Sequence, residues 1–322
     1  MKFISESSVD VVIVTYGNRW KYLEIILDRL SSFKEINKIV LVDNGVTYPL
    51  KDKLEDYDNI VMLRFDNNEG SAIGFHEGIK ASLKESGDFI WLLDDDNLPE
   101  REAINKLRDV QKLLNNPKAV LSSFRSDRRE MKAKGGQNFT RNSFFEFHII
   151  DKIQKKQNRK ISSIHEGLLR CESVPYGGLL LDKQIMKNIA LPNKEYFLYC
   201  DDIDFTYQLT KNGYEIYCVL ESVIVDLESS WYRKEEVPMF QGIFKTEELK
   251  RGFFSIRNRV QFEKKYITDS KIIYYMNILI YMCFVFLKYM PKNINGLKRY
   301  LFVIDAIQKG RKGVLGKDIR FL

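Results

Sequence analysis

Apolar positions in the first part of the chain recur at two alternating periods. Val9 to Val14 is apolar apart from Asp10 and reads as a buried strand, and Thr15-Tyr16-Gly17-Asn18 follows as a loop. Trp20, Leu23, Ile26, Leu27 and Leu30 then recur at helical spacing. Lys38 to Val42 predicts a second strand ending in Asp43-Asn44-Gly45, and Ile60 to Phe65 a third ending in Asp66-Asn67-Asn68. A helix over Ser71 to Lys84 leads to a fourth strand, Phe89 to Leu93; a helix over Glu100 to Leu114 and a strand over Ala119 to Ser123 complete the series. The order β-α-β-β-α-β-α-β argues for an α/β sheet, largely parallel and covered by helices.

Ligands in such sheets bind beyond the carboxyl ends of the strands. Thr15, Asp43, Asn68 and Asp94 all stand at or just past such ends. The sharpest of these ends is Asp94-Asp95-Asp96, where three carboxylates follow the apolar Trp91-Leu92-Leu93. Adjacent carboxylates repel one another and resist desolvation unless a cation sits among them. Mg²⁺ or Mn²⁺ suits such oxygen ligands and bridges them to phosphates. A solvated acidic turn before Pro99 is the competing reading.

Composition narrows the partners. The chain has 322 residues, enough for a large core, and 44% hydrophobic with 30% charged residues describes a globular protein. A net charge of +7 favours an anionic partner such as a nucleotide or phospholipid surface. The basic residues are spread, and nothing resembles a nucleic-acid-binding module, so nucleic acid is not expected. Cys171, Cys200, Cys218 and Cys283 have no framework spacing and read as reduced core thiols; the scattered His76, His148 and His165 argue against zinc. Val11 to Val14 is too short for the apolar region of a signal peptide, so the expected location is cytoplasmic. A dinucleotide fingerprint is not expected, because Thr15 to Trp20 carries one glycine, and a phosphate-binding loop ending in Gly-Lys-Ser/Thr does not occur.

The second half adds carboxylates. Val174-Pro175-Tyr176-Gly177-Gly178 precedes Leu179 to Leu181, and its glycines either admit a ligand or make a turn. Asp201-Asp202-Ile203-Asp204-Phe205 opens a helix; capping and the helix dipole account for some of its acid, and a general base for a hydroxyl would account for the rest.

Taken in order, Asp43, Asn68-Glu69-Gly70 with Gly74 and Gly78, Asp94 to Asp96, Gly177-Gly178 and Asp201 to Phe205 resemble an inverting GT-A glycosyltransferase of family 2. The likeness is nearest to bacterial rhamnosyltransferases and galactofuranosyltransferases of cell-surface polysaccharide synthesis. It covers roughly residues 8 to 230, and Arg257-Asn258 and Lys309-Gly310 also look typical. It implies a GT-A catalytic domain over 1–230, with a donor half to about 125 and an acceptor half from about 165, and a helical C-terminal region over 231–322.

The resemblance also implies roles. Thr15, Tyr16 and Asp43 would hold the nucleobase and ribose, with Asn18, Asn68 and Gly70 on the same donor wall. Asp94 and Asp96 would bind Mn²⁺ or Mg²⁺ and the diphosphate, and Asp95 the donor sugar. Gly177 and Gly178 would line the acceptor pocket, Asp202 would be the general base, and Asp201 would bind a sugar. These enzymes usually add a metal-binding histidine downstream of the base, but this chain has none after His165. Asp226, at the end of an expected strand from Ile216 to Val225, is the candidate replacement, unless it is a strand-end turn residue. UDP-galactofuranose is the first expected donor and dTDP-rhamnose the alternative, with a glycan or lipid-linked acceptor. A nucleotidyltransferase or a non-catalytic polysaccharide-binding scaffold are the rival classes.

Two further stretches carry expectations. Arg125 to Arg159 is basic and reads as a loop near the site or as a solvated surface. Ile272 to Leu287 is apolar and, at 16 residues, short of the ~20 that cross a bilayer. Flanked by Lys271, Lys288, Lys292, Lys298 and Arg299, it reads either as a helix at the inner face of the cell membrane or as a buried packing helix.

Overall fold

Strand and helix alternate along the chain because each strand must be covered on both faces. The computed structural model describes residues 8–126, 136–154, 167–228, 239–245, 249–292 and 294–321. Its first half runs β1 (Val9–Gly17), α1 (Trp20–Ser31), β2 (Ile36–Val46), the short α2 (Leu50–Lys53), β3 (Ile60–Phe65), α3 (Ser71–Ser82), β4 (Phe89–Asp94), β5 (Asn97–Pro99), α4 (Ala103–Leu114) and β6 (Ala119–Arg125). Then come α5 (Ile149–Ile153), β7 (Leu168–Cys171), β8 (Leu179–Asp182), α6 (Asp201–Lys211) and β9 (Glu215–Asp226). The helices α7 (Met239–Ile243), α8 (Leu249–Phe262), α9 (Lys271–Lys288) and α10 (Gly296–Lys312) complete the described chain.

Successive side chains of a strand point to opposite faces, and β1 shows what that requires. Val11 and Ile13 pack with Leu23, Ile26 and Leu27 of α1 and with Ile104 and Leu107 of α4. Val12 and Val14 pack on the other side with Phe75 and Ile79 of α3 and with Phe205 and Leu209 of α6. Gly74 and Gly78 let α3 lie directly on β1. A Cβ at either position would come within 2.6 Å of a Val14 or Val12 methyl, which explains their four-residue spacing.

The sheet is mixed, where the sequence pattern predicts a largely parallel one. Its strand order is β3-β2-β1-β4-β8-β6-β9-β5, with β7 also paired to β9. The β3-β2-β1-β4 half is parallel, as expected. The strand β8 then inserts antiparallel between β4 and β6, while β7 and β5 flank β9 antiparallel. A continuous apolar run marks a doubly covered strand but says nothing of its direction. The three-residue β5 has no run long enough to announce it.

Contacts divide the chain into two units. The first takes residues up to 138, 160–194 and 201–228; the second takes 139–159, 195–200 and 229 onward. The second unit draws in two segments from before residue 230, and residue 230 itself lies outside the described residues, as do 127–135 and 155–159 of the basic stretch. The second unit is held by aromatic packing in which Phe144, Phe253, Phe254 and Tyr274 are buried. Within it, Phe197, Tyr199 and Cys200 adopt φ of 63°, 68° and 62°, a left-handed conformation that is costly for side chains of this size. The Asn258 amide offsets that cost by reaching the Tyr196, Leu198 and Tyr199 carbonyls at 2.9, 2.7 and 2.9 Å, and Arg257 donates to Tyr196 at 3.3 Å. All four cysteines are free; Cys171, Cys200 and Cys218 are buried as expected, whereas Cys283 is exposed on the outer side of α9.

One buried ion pair fastens the sheet at the N-terminal end of β1. Asp10 is fully buried and takes Lys183 Nζ at 2.5 Å and Asn37 Nδ2 at 2.8 Å, while Lys183 also reaches the Ser82 and Glu85 carbonyls. Removing one partner strands the other charge in the core. Lys183→Met should therefore lower unfolding free energy by about 3–5 kcal/mol, read from urea denaturation, with Asp10→Asn in the same chain recovering part of the loss.

Candidate active site

The strand β4 delivers its three aspartates to the carboxyl edge of the sheet, and each meets a different fate. Asp95 is buried, Asp96 and Asp94 partly so. Arg19, in the loop between β1 and α1, donates from Nε to Asp95 at 2.8 Å, from Nη2 to Asp96 at 3.0 Å and from Nη1 to Glu228 at 2.5 Å. Its guanidinium also sits 5.2 Å from the ring centres of Tyr16 and Tyr22. Arg125, at the end of β6, reaches Asp94 Oδ2 at 3.4 Å and makes a close ion pair with Asp226. Five carboxylates thus share two guanidinium groups.

That imbalance governs the electrostatics. Burial pushes Asp95 up to about 6 although Arg19 opposes it. Burial, then the like charges of Asp94 and Asp95, push the Asp96 carboxyl up to about 7. Burial alone would lower Arg19, but Asp95, Glu228 and Asp96 hold it above its ordinary value.

The pairing of β5 with β9 brings Asp226 here, since Asn97 lies opposite Asp226 in the ladder. The Asn97 amide donates to Asp226 Oδ1 at 2.7 Å and its carbonyl accepts from the Asp94 N–H at 3.1 Å. Asp226, expected as a third metal ligand, is bonded here to Arg125 and Asn97. Among the described residues no group of three or more His, Cys, Asp or Glu side chains is arranged to hold a metal ion.

The two glycines before β8 separate in role. A Cβ at Gly177 would lie 2.1 Å from Asn97 Oδ1 and 3.1 Å from Asp94 Oδ2, so Gly177 belongs to the site wall. Gly178 spends its N–H on Leu92 at 2.8 Å, and its carbonyl accepts from Ser123 N–H at 2.9 Å and Trp91 Nε1 at 3.3 Å. Its backbone polar groups are thus engaged by the sheet, beside the site wall that Gly177 forms.

The helix α6 supplies the companion acids. Asp201 is buried, accepts from Ser71 Oγ at 3.0 Å and lies against Tyr176. Burial raises its carboxyl well above the usual range, and Asp202 and Asp94 raise it further. Asp202 is partly exposed, and its Oδ1 accepts the Ile203 N–H at 2.8 Å. Asp204 is fully buried and accepts from Gln208 Nε2 at 2.9 Å, so it belongs to the helix and not to the opening.

The remaining expected donor residues form a separate, well-bonded wall. Asp43 lies opposite Thr15 across β1 and β2, and its Oδ1 closes a turn by accepting the Gly45 and Val46 N–H groups at 3.1 and 2.9 Å. Thr15 is fully buried beside Tyr48 and Asp95, a depth that leaves it behind the surface. Asn68 Oδ1 accepts the Gly70 N–H at 2.9 Å and the Asn44 amide at 3.3 Å, fixing the entry to α3, where Gly70 stands at the N-cap. Tyr16 is partly exposed next to Arg19, and Asn18 is exposed. Arg19, Asn97, Arg125 and Glu228 are the site residues that sequence reasoning missed. Arg19 had a signal, being a basic residue straight after the loop of the first strand; Arg125 and Glu228 had none, since only the tertiary fold brings Arg125 to Asp94 and Glu228 to Arg19.

Residues 10–174 match the pattern of the family described as Glycosyl transferase family 2. Over 225 residues, 69% of this chain and 68% of the relative, the sequence is 26% identical to the dTDP-rhamnosyl transferase RfbF of Shigella flexneri. Among solved structures it is similar to GalNAc-T7 with UDP, GalNAc and Mn²⁺, with a TM-score of 0.52 and 14% identity over 70% of this chain and 44% of that one. The chain thus spans less than half the length of GalNAc-T7. It is also similar to the mannosyltransferase PcManGT from Pyrobaculum calidifontis, in complex with GDP-Man and Mn²⁺, with a TM-score of 0.50 and 14% identity over 95% of this chain and 75% of that one. At such identity these structures speak for the fold, a GT-A sheet flanked by helices with a helical C-terminal region. Since the family pattern spans just over half of the chain, this protein belongs to glycosyl transferase family 2 and is a glycosyltransferase.

Proposed function

We propose that the enzyme moves a deoxyhexose from dTDP-rhamnose to a hydroxyl of a glycan or lipid-linked acceptor, inverting the anomeric centre in one displacement. The observation that carries the transfer reading is the meeting of Asp94 to Asp96 at the end of β4 with Asp201-Asp202 at the start of α6, close enough that Asp94 raises Asp201. The likeness to the Shigella flexneri enzyme over 225 residues favours the dTDP donor. UDP-galactofuranose stays as the second reading, supported by the paired Asp201-Asp202 after the three-aspartate run.

Asp202 is the base of this proposal. It is the partly exposed member of the pair, whereas Asp201 is buried with a raised carboxyl that favours the neutral form. A neutral Asp201 can donate to a sugar oxygen while Asp202 takes the proton of the attacking hydroxyl. Gly177 lets the backbone lie close against Asn97 and Asp94 at the site wall, and the wall of Tyr16, Asp43, Asn68 and Gly70, backed by the buried Thr15, receives the nucleoside. Arg19 and Arg125 place positive charge where the diphosphate departs.

Mn²⁺ or Mg²⁺ fits Asp94 and Asp96, which are oxygen donors in a cluster with uncompensated negative charge. When bound, such an ion acts as a Lewis acid for the leaving diphosphate. Asp226 joins these two as a ligand only by exchanging its bond to Arg125.

Calorimetric titration with dTDP, UDP and GDP, with and without Mn²⁺, tests the donor. Metal-dependent binding of dTDP in preference to the others is expected; preference for UDP turns the assignment to galactofuranose, and no binding of any of them removes the transfer reading. Asp202→Asn is expected to lower kcat by about 10²–10⁴-fold while donor affinity stays near that of the parent enzyme. Lost donor affinity with a normal kcat at saturation overturns the base assignment. Asp96→Ala should weaken Mn²⁺-dependent donor binding by at least roughly tenfold, and an unchanged dependence on Mn²⁺ excludes it as a ligand.

A further inference from the structure

The helix α9 is apolar on every side, but among the described residues only one side of it is covered. Tyr274, Asn277, Met282 and Val285 face inward and are buried. Ile272, Met276, Leu279, Phe286 and Leu287 face outward at helical spacing, with Ile272, Leu279 and Leu287 exposed by 83%, 65% and 74%. With the turn that follows, the helix runs from Lys271 to Lys292, and only 22% of its apolar window is buried. That length exceeds the 16-residue run read from the sequence and reaches the span of a bilayer. Beyond the turn, Ile294 and, in α10, Leu297 and Leu301 are exposed by 105%, 60% and 57% as well. An exposed apolar stripe of this kind marks an interaction site.

Charge selects the occupant. No acidic residue occurs between positions 270 and 304, whereas Lys271, Lys288, Lys292 and Lys298 lie along the same stretch and are exposed. A second copy seated face to face would bring these like charges together, because a two-fold contact matches the same patch on both subunits. An anionic lipid surface instead satisfies the lysines and the apolar stripe at once.

The inner face decides how the helix meets lipid. Asn277 Nδ2 donates to the Asn142 carbonyl at 2.8 Å and Oδ1 accepts the Ile149 N–H at 2.9 Å. One turn earlier the Tyr274 hydroxyl donates at 3.1 Å to Glu263, a buried carboxylate that also takes Arg259 at 2.8 Å and the Phe145 N–H at 2.9 Å. A spanning position would orphan all of these groups.

We propose that α9 and the first turns of α10 form a monotopic docking face for the anionic surface of a lipid bilayer, with the outward stripe immersed and the helix lying in the plane of the membrane. This goes beyond the transfer reading, since it concerns a different part of the chain and stands or falls separately.

The test is flotation of the full-length protein with vesicles of phosphatidylcholine alone or mixed with phosphatidylglycerol. Binding to the mixed vesicles, weakened by salt, is expected. Leu279→Glu and Leu287→Glu should each reduce partitioning at least roughly tenfold, while Leu113→Glu, an exposed leucine of α4, leaves it unchanged. Cys283 is the exposed cysteine of the four, so an environment-sensitive dye placed there gives a second readout that needs no loss-of-function variant. Its emission should shift to the blue on the mixed vesicles. No flotation together with an unshifted dye overturns the proposal, as does a dimer in sedimentation velocity that Leu279→Glu dissolves without any vesicle binding. Calorimetric nucleotide binding by Leu279→Glu, expected to match the parent, keeps a failure here distinct from a failure of the transfer reading.

Discussion

Five carboxylates gather where β4, β5 and β9 end, and the fold has to hold them against their mutual repulsion. Two arginines from distant strand ends do this. Arg19 ties the loop after β1 to Asp95, Asp96 and Glu228, and Arg125 ties the end of β6 to Asp94 and Asp226. Burial, with the like charges of Asp94 and Asp95 added, pushes Asp96 up to about 7 in spite of Arg19. Perturbed carboxylates gathered in this way at a strand end mark a candidate site. Guanidinium groups suit the task because each offers several donors in a fixed fork and keeps its charge when partly buried.

The architecture behind the cluster follows from the same economy of burial. The parallel half of the sheet is covered by α1 and α4 on one side and by α3 and α6 on the other, and its polar residues collect where the strands end. Insertion of β8 next to β4 places Gly177 against Asp94 and Asn97. The short β5 then turns the chain back so that Asn97 meets Asp226 across β9. The site is thus a consequence of strand pairing, with the Asp43 turn and the Asn68–Gly70 entry to α3 forming the wall beside it.

The second unit shows a different balance, with aromatic packing in place of a sheet and polar groups used as fasteners. Glu263 accepts from Arg259, Tyr274 and the Phe145 N–H inside an apolar core. Asn258 holds the left-handed run at Phe197, Tyr199 and Cys200. These bonds fix the inner face of α9 and leave its apolar outer face without a protein partner among the described residues.

The sequence by itself determined the alternation of strands and helices, the polar edge and the acidic runs at Asp94 to Asp96 and Asp201 to Asp204. Periodicity reports burial, and carboxylates in the wake of an apolar strand report a site. Strand lengths came out longer than the pattern implied, as in β2 and β6, because the strands continue past the apolar run into polar residues such as Asp43 and Arg125. Only the tertiary structure decided that the sheet is mixed, that Gly178 serves the sheet while Gly177 serves the site, and that Asp226 is engaged by Arg125 and Asn97. Each of these depends on which strands become neighbours and in which direction. Contacts between residues about a hundred positions apart, such as Arg125 with Asp226, leave no periodic trace in one chain.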